Sequence, residues 1–300
     1  MKTQQADVAV IGAGTAGMAA WRAATQAGAH AVLIEAGAFG TTCAVPTVPR
    51  EFSVFGERLL TSGDIFKLES LPQRLAVFGA GPLALELAQG LSRLGVEVSV
   101  FGRGGEVAGI TDKTVREAFS KRLASEFYFD PDAAIHDMSL EDGVPTIDFR
   151  GIDGMAQREQ FDSILVATGR RPNLEPLMLE HAGISLDAQG TPCFEPASMQ
   201  CGTSSIFMAG DCDGTRPWLQ DAVDEGQLAG ENAARFPDVR HIERKVPFSV
   251  IFCQPQIALV GASVESSDER AVVTGFVSFE DQGRRRNISA ICSHGPYSCG

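Results

Sequence analysis

The stretch Asp7-Val8-Ala9-Val10-Ile11-Gly12-Ala13-Gly14-Thr15-Ala16-Gly17 decides the fold. Its first five residues form a β-branched run that suits a strand, and the Ala-rich segment from Met18 to Ala27 suits a helix. Gly12 permits a tight turn between them, Gly14 lets a pyrophosphate approach the backbone, and Gly17 lets the helix pack closely on the strand. A second strand, Ala31-Val32-Leu33-Ile34, ends in Glu35, 23 residues after Gly12. A pyrophosphate would rest on the helix N-terminus, where unpaired N–H groups and the helix dipole favour an anion. Glu35 is then placed to accept hydrogen bonds from the ribose hydroxyls of an adenosine. An ordinary glycine-rich loop would not require that acid.

The same unit recurs. Leu75-Ala76-Val77-Phe78 reads as a strand, Gly79-Ala80-Gly81-Pro82-Leu83-Ala84 as the turn, Leu85 to Leu94 as a helix and Val96 to Phe101 as a strand. A shift of 67 residues lays Gly12 on Gly79, Gly14 on Gly81, Gly17 on Ala84 and Gly28 on Gly95. Glu35 falls on Gly102, which is followed by Arg103. Losing the acid removes both the ribose hydrogen bonds and the repulsion of a 2′-phosphate, and an adjacent arginine can bind that phosphate. The second unit therefore leans to NADP over NAD, against the plainer reading of Arg103 as a solvated loop residue.

With 44% hydrophobic residues, the 300-residue chain can bury a large core in two domains or one large α/β domain. A formal net charge of −13 argues against a nucleic-acid surface, and the one dense basic run, Arg284-Arg285-Arg286, reads as a solvated patch. No stretch approaches the ~20 apolar residues that span a bilayer. Val8 to Ile11 leads into a glycine turn rather than a signal-peptide cleavage site, so a cytoplasmic location is expected. Seven cysteines, at 43, 193, 201, 212, 253, 292 and 298, include no CxxC pair. Neither a disulfide framework nor a metal site is expected, and most of the thiols should be buried or inert.

Further motifs follow in order. Ile164-Leu165-Val166-Ala167-Thr168-Gly169-Arg170-Arg171-Pro172-Asn173 is a strand leading into a Thr-Gly turn. Thr203-Ser204-Ser205-Ile206-Phe207-Met208-Ala209-Gly210-Asp211 is a hydrophobic run ending in an acid, and a helix is expected from Leu219 through Glu225-Gly226-Gln227 to Ala234. With Val246-Pro247-Phe248 and Gln254-Pro255-Gln256-Ile257-Ala258-Leu259-Val260-Gly261, this order resembles the class I pyridine nucleotide–disulfide oxidoreductases, in particular the dihydrolipoyl dehydrogenases and the mercuric and glutathione reductases. The resemblance covers most of residues 6 to 284. It implies an α/β fold of two Rossmann-like units with three-layer β-β-α architecture, plus an α+β interface domain. It implies FAD at Gly12, Gly14, Gly17, Glu35, Thr42, Asp211 and Leu219. Asp211, presented by a buried strand, would meet the flavin ribityl chain, and Leu219 would open a helix whose N-terminus lies near the flavin. It implies NAD(P)H at Gly79, Gly81, Ala84, Glu86, Gly102, Arg103 and Gly169, with Glu86 on the nicotinamide side and Gly169 crossing near the cofactor. The activity implied is hydride transfer between nicotinamide and flavin N5, coupled to a dithiol/disulfide pair.

The chain also departs from the pattern. Members of the family carry a Cys-x4-Cys pair, begun here as Gly40-Thr41-Thr42-Cys43-Ala44, but the residue five past Cys43 is Val48. Cys43 matches the outer, exchanging thiol and is the candidate catalytic residue; the flavin-facing thiol has no counterpart. A dithiol mechanism needs one thiolate to receive electrons from the flavin and another to attack the substrate. Val48 to Phe52 and Leu59 to Asp64 resemble the segment just before the NAD(P) domain, so a long internal stretch, including the third strand of the first sheet, is expected to be missing. The family's histidine and glutamate, acid–base for the thiols from the partner subunit, have no counterpart after Asp281-Gln282-Gly283-Arg284, and His294 reads as a tail residue. The interface sheet would then be incomplete, with an exposed strand edge, which argues against the family's homodimer.

The organisation expected is a first, incomplete part of an FAD-binding domain at 1–72, with a loose link over 44–72, and an NAD(P)-binding domain at 73–170. The second part of the FAD domain follows at 171–245 and a truncated interface domain at 246–300. Within 73–170 a helix is expected from Thr114 to Phe127 and short strands around Ile135, Thr146 to Phe149 and Phe161 to Thr168. Three activities stay open. One is an FAD-dependent NAD(P)H oxidoreductase of the dihydrolipoyl dehydrogenase type acting on a disulfide or dithiol, impaired by the missing cysteine and His-Glu pair. Another is a redox-silent NAD(P)-binding protein, and the last a flavin oxidase using Cys43 alone as a sulfenic acid.

Overall fold

The computed structural model describes residues 5–35, 44–261 and 275–277. The chain divides into two units, 1–262 and 263–300, and the described residues through 261 belong to the first. In the first unit Val8–Ile11 is β1, Thr15–Gln26 is α1 and Ala31–Ile34 is β2, with β1 and β2 paired in parallel. The chain then runs through β3 (Ala44–Pro46), a 3-10 stretch over Arg50–Arg58, β4 (Leu59–Leu60) and a short helix α2 (Ser62–Ile65). The link expected to be loose is therefore built, and its apolar residues give the reason. Phe52 and Phe55 are buried, and Phe52 meets Phe78 edge-on at 4.7 Å. Thr61 and Asp64 close a capping box on α2.

The second glycine unit follows: β5 (Arg74–Phe78), α3 (Pro82–Arg93), β6 (Glu97–Phe101), α4 (Lys113–Ala124) and β7 (Tyr128–Asp130). α3 starts three residues before the expected Leu85, because a proline in the first helical position lacks only an N–H that would be unpaired anyway. Next come three antiparallel strands, β8 (Ala134–Glu141), β9 (Val144–Arg150) and β10 (Ala156–Gln160), and then β11 (Ser163–Val166). β11 returns to the parallel sheet, whose order is β4-β11-β5-β6-β7. β10 escapes a hydrophobicity reading because Ala156-Gln157-Arg158-Glu159-Gln160 is almost wholly polar.

Alternation along β5 explains the layering. Leu75 and Val77 face a core with Leu85, Ala88, Phe119 and Leu123 of α3 and α4. Ala76 and Phe78 face the opposite way, onto Phe101, Ile147, Phe149 and Phe161 beneath the antiparallel sheet. The result is the three-layer β-β-α arrangement.

β12 (Arg170–Pro172) pairs antiparallel with β3. α5 spans Leu219–Arg235, and β13 (Phe248–Ile251) with β14 (Ile257–Val260) makes a hairpin. The buried strand expected over 203–211 does not form. Its backbone bonds go instead to a local fold-back, Cys201 N–H to Ile206 O at 2.9 Å and Met208 N–H to Met199 O at 2.9 Å. Among the described residues β1 and β2 pair only with each other, so no parallel sheet edge receives the segment. Ile11 and Ile34 are 62% and 51% exposed.

Candidate functional site

The first turn is shaped by contacts that only glycine allows. Gly12 has φ +96°, and a Cβ on Gly17 would lie 1.9 Å from the Gly12 carbonyl oxygen, so helix and turn touch backbone to backbone. Gly14 is the N-cap of α1 and supplies no side-chain cap, nor is there an acid in the first helical turn. The amides there are left for an anion. Glu35, half-buried at the end of β2, accepts the Ala13 N–H at 2.6 Å.

Asp211 comes to this turn from far along the chain. A Cβ on Gly210 would lie 2.7 Å from Ala16 Cβ, one on Gly226 2.2 Å from Ala16 O, and one on Gly230 2.1 Å from Ala20 O. The pair Gly226 and Gly230 thus lets α5 cross α1 at backbone contact, while Gly210 lays the Asp211 turn on the first turn of α1. Leu219, 64% exposed, opens α5. The structure therefore gathers Gly12, Gly14, Gly17, Glu35 and Asp211 about one helix end.

Beside them lies a charged cluster that the sequence reading missed. Glu225, 4% exposed, accepts the Gly210 N–H at 2.8 Å. The Arg244 guanidinium pairs with Glu225 Oε1 and, at 3.2 Å, with Asp213 Oδ2. Burial pushes the Glu225 carboxyl up to about 7, with the Asp213 charge adding to the rise and the Gly210 N–H and Arg244 opposing it. The available signal was an acid on the buried stripe of α5, beside Ala222, Gly226 and Ala229.

The second turn follows the first with differences. Gly79 has φ +119°, and a Cβ on it would lie 2.4 Å from Ala167 O, so the turn is pressed against the end of β11. Gly81 is the N-cap of α3 at φ −73°, with open space where a Cβ would stand. Ala84, buried, holds the place of Gly17. A Cβ on Gly102 would lie 2.5 Å from Pro131 O, so the acid of the first unit has no room at this position whatever the ligand. Arg103 is exposed beside it. Gly169, also exposed, has φ +135°, and its carbonyl accepts the Thr47 N–H.

Glu86, half-buried on α3, accepts the Phe252 N–H at 2.8 Å, and one turn on Gln89 exchanges two bonds with the Gln254 backbone at 2.6 and 3.0 Å. The connection between β13 and β14 is thereby docked along α3 at the residue expected on the nicotinamide side. Thr42, Cys43 and His294 lie outside the described residues. Of the four cysteines described, Cys201 and Cys253 are buried, and burial pushes both thiols up to about 11, which makes them inert. Among the described residues no helix is long and apolar enough to cross a membrane.

A family model described as pyridine nucleotide-disulphide oxidoreductase matches residues 37–226. A mercuric reductase from Staphylococcus aureus is 31% identical over 233 residues, covering 78% of this chain and 42% of that protein. A dihydrolipoyl dehydrogenase from Vibrio parahaemolyticus is 26% identical over 252 residues, covering 84% of this chain and 51% of the relative. The chain thus spans about half the length of the curated relatives it matches. Among solved structures, the Escherichia coli flavoprotein disulfide reductase RclA, as the Cu(II) complex of a cysteine-to-serine variant, superposes with a TM-score of 0.76. That match has 16% identity and covers 90% of this chain and 80% of the other, a likeness of fold.

Proposed function

The chain belongs to the pyridine nucleotide–disulphide oxidoreductase family, and on that premise we propose that it is an FAD-dependent NAD(P)H oxidoreductase of the dihydrolipoyl dehydrogenase type, impaired in its thiol half. The observation that supports this is the gathering of Glu35 and the Gly210–Asp211 turn on the bare N-terminus of α1, together with a second bare helix N-terminus, at Gly81, elsewhere in the chain. When bound, a flavin takes hydride from the reduced nicotinamide and passes the electron pair to a disulfide.

The residues of the chain supply the rest. The α1 amides take the FAD pyrophosphate, Glu35 the adenosine ribose and Asp211 a ribityl hydroxyl, with Leu219 at the head of α5 near the flavin. Residues 73–170 take NAD(P)H: Gly81 leaves the space a pyrophosphate needs, and Arg103 takes a 2′-phosphate, which makes NADPH the preferred donor. Cys43 alone serves as the exchanging thiol. Without a second thiol at Val48, turnover of a disulfide substrate is slow.

A second reading, a redox-silent NAD(P)-binding protein, is favoured by the β1–β2 pair, which carries exposed Ile11 and Ile34 where a parallel sheet is ordinarily covered. One experiment separates the two: record the absorbance of the purified chain from 350 to 500 nm and titrate it with NADPH and NADH. A stoichiometric flavin band bleached by either nucleotide supports the oxidoreductase. Nucleotide binding with no flavin band, even after incubation with FAD, overturns it in favour of the silent reading.

A further inference from the structure

We propose that Glu225 and Arg244 are positioning residues for the flavin, clamping the turn from Gly210 to Asp213 so that Asp211 is held on the first turn of α1. This rests on the FAD reading above.

The clamp grips the turn at both ends. At its start the Gly210 N–H is taken by Glu225 Oε2 at 2.8 Å, and Gly210 sits at φ +79° against Ala16, a conformation other residues rarely adopt. At its close the Asp213 N–H returns to Gly210 O at 2.9 Å. Asp213 Oδ1 takes the Thr215 N–H and hydroxyl at 2.7 and 2.9 Å, and Oδ2 takes Arg244. Because Arg244 also pairs with Glu225, one guanidinium ties both grips together. Between them, the Asp211 carboxylate makes no hydrogen bond or ion pair with any described residue. The neighbours on either side are committed to protein, and the acid assigned to the ligand is not.

Charge at this place is a poor source of stability. Two buried carboxylates on one guanidinium carry a desolvation penalty that apolar packing would avoid, whereas fixing the orientation of a turn needs directional partners. The guanidinium is itself held: it stands 6.0 Å over the Phe194 ring, and its side chain is 18% exposed. Arg244 arrives from the segment after α5, which is laced to that helix by Arg240 with Glu231 and by Lys245 with Asp224. The clamp therefore joins the cofactor turn, α5 and the segment leading into β13.

The test uses the full chain, FAD titration followed by quenching of flavin fluorescence, NADPH titration, and the unfolding midpoint without FAD. Glu225→Gln keeps a carbonyl oxygen for the Gly210 N–H, whereas Glu225→Ala does not. The expected result is that Glu225→Ala and Arg244→Met weaken FAD binding at least about tenfold, as loss of a charge-assisted bond does. Glu225→Gln should stay within about threefold of the parent. NADPH affinity should hold in all three; the FAD-free midpoint should fall in Glu225→Ala and Arg244→Met, each of which strips a partner from a buried pair, and Arg240→Met, on the same segment, should change nothing. Equal losses for Glu225→Gln and Glu225→Ala, or a fall of NADPH affinity in step with FAD affinity in Glu225→Ala, overturn the clamp. Should Arg244→Met lose NADPH binding as well, it has unfolded, and the Glu225 pair decides alone. A parent chain that takes up no FAD sinks the FAD reading itself, and the clamp with it.

Discussion

Glu35 Oε2 lies 2.6 Å from the amide nitrogen of Ala13, so the acid that ends β2 is bonded into the middle of the first glycine turn. The carboxylate thus fixes the turn, besides the ribose contact proposed for it. Glu35→Ala removes both roles, and FAD affinity should fall roughly tenfold to a hundredfold, the range of hydrogen bonds to a charged partner. NADPH affinity should not change, because Glu35 belongs to the first unit. Fluorescence titration with each ligand checks this, and an unaltered FAD affinity would remove Glu35 from the site.

Two glycines of the second turn should respond differently to the same methyl group. At Gly81, φ is −73° and the space is open, so Gly81→Ala should fold with its unfolding midpoint near the parent's while the methyl blocks the approach of a pyrophosphate. At Gly79, φ is +119° and the methyl would lie 2.4 Å from Ala167 O, so Gly79→Ala should lose several kcal/mol, on the order of 3 or more, of stability. Calorimetry and NADPH titration on both variants check the contrast. A Gly81→Ala chain that binds NADPH as tightly as the parent would show that the dinucleotide lies elsewhere.

Legibility in the sequence followed the range of the forces involved. Both glycine units, α1, β2, β5, β6 and α5 were readable because local periodicity and the turn chemistry of Gly12 and Gly79 specify them within a few residues. β10 was not, since its polar residues pair through the backbone and leave no apolar alternation. Residues 203–211 were apolar enough for a buried strand, but a strand also needs a neighbour, and whether a sheet edge exists is settled by the rest of the chain. The Asp213–Glu225–Arg244 cluster was out of reach because 31 residues separate Asp213 from Arg244. Gly102 shows a different limit. Its lack of an acid was legible, yet the structure supplies a second cause, the Pro131 carbonyl at 2.5 Å from a would-be Cβ.

That second cause sharpens what Arg103 must do. With glycine imposed at 102 by packing, the missing acid alone no longer argues for a 2′-phosphate, and the preference has to come from the arginine. Arg103→Ala should therefore weaken NADPH about tenfold and leave NADH within about twofold. High salt should narrow the difference, because the side chain is exposed. Paired titrations at low and high ionic strength read this directly, and equal losses for the two nucleotides would count against NADPH selection.

The buried carboxyl of Glu225 should leave a mark on the pH dependence of stability. Its ordinary value is 4.5, and burial raises it to about 7 in the folded chain, so between these limits the folded state binds more protons than the unfolded state. Stability then falls as pH rises from about 4.5 to about 7, and the contribution is fully lost above that window. The charges that face the carboxyl, Asp213, Asp221 and Arg244, are shared by the parent and a Glu225→Gln variant, so the difference between the two isolates the one titration. Urea unfolding across this window should show the parent losing stability relative to the variant as pH rises. A parent that instead gains on the variant would mean that Arg244 outweighs burial and holds Glu225 ionised in the fold.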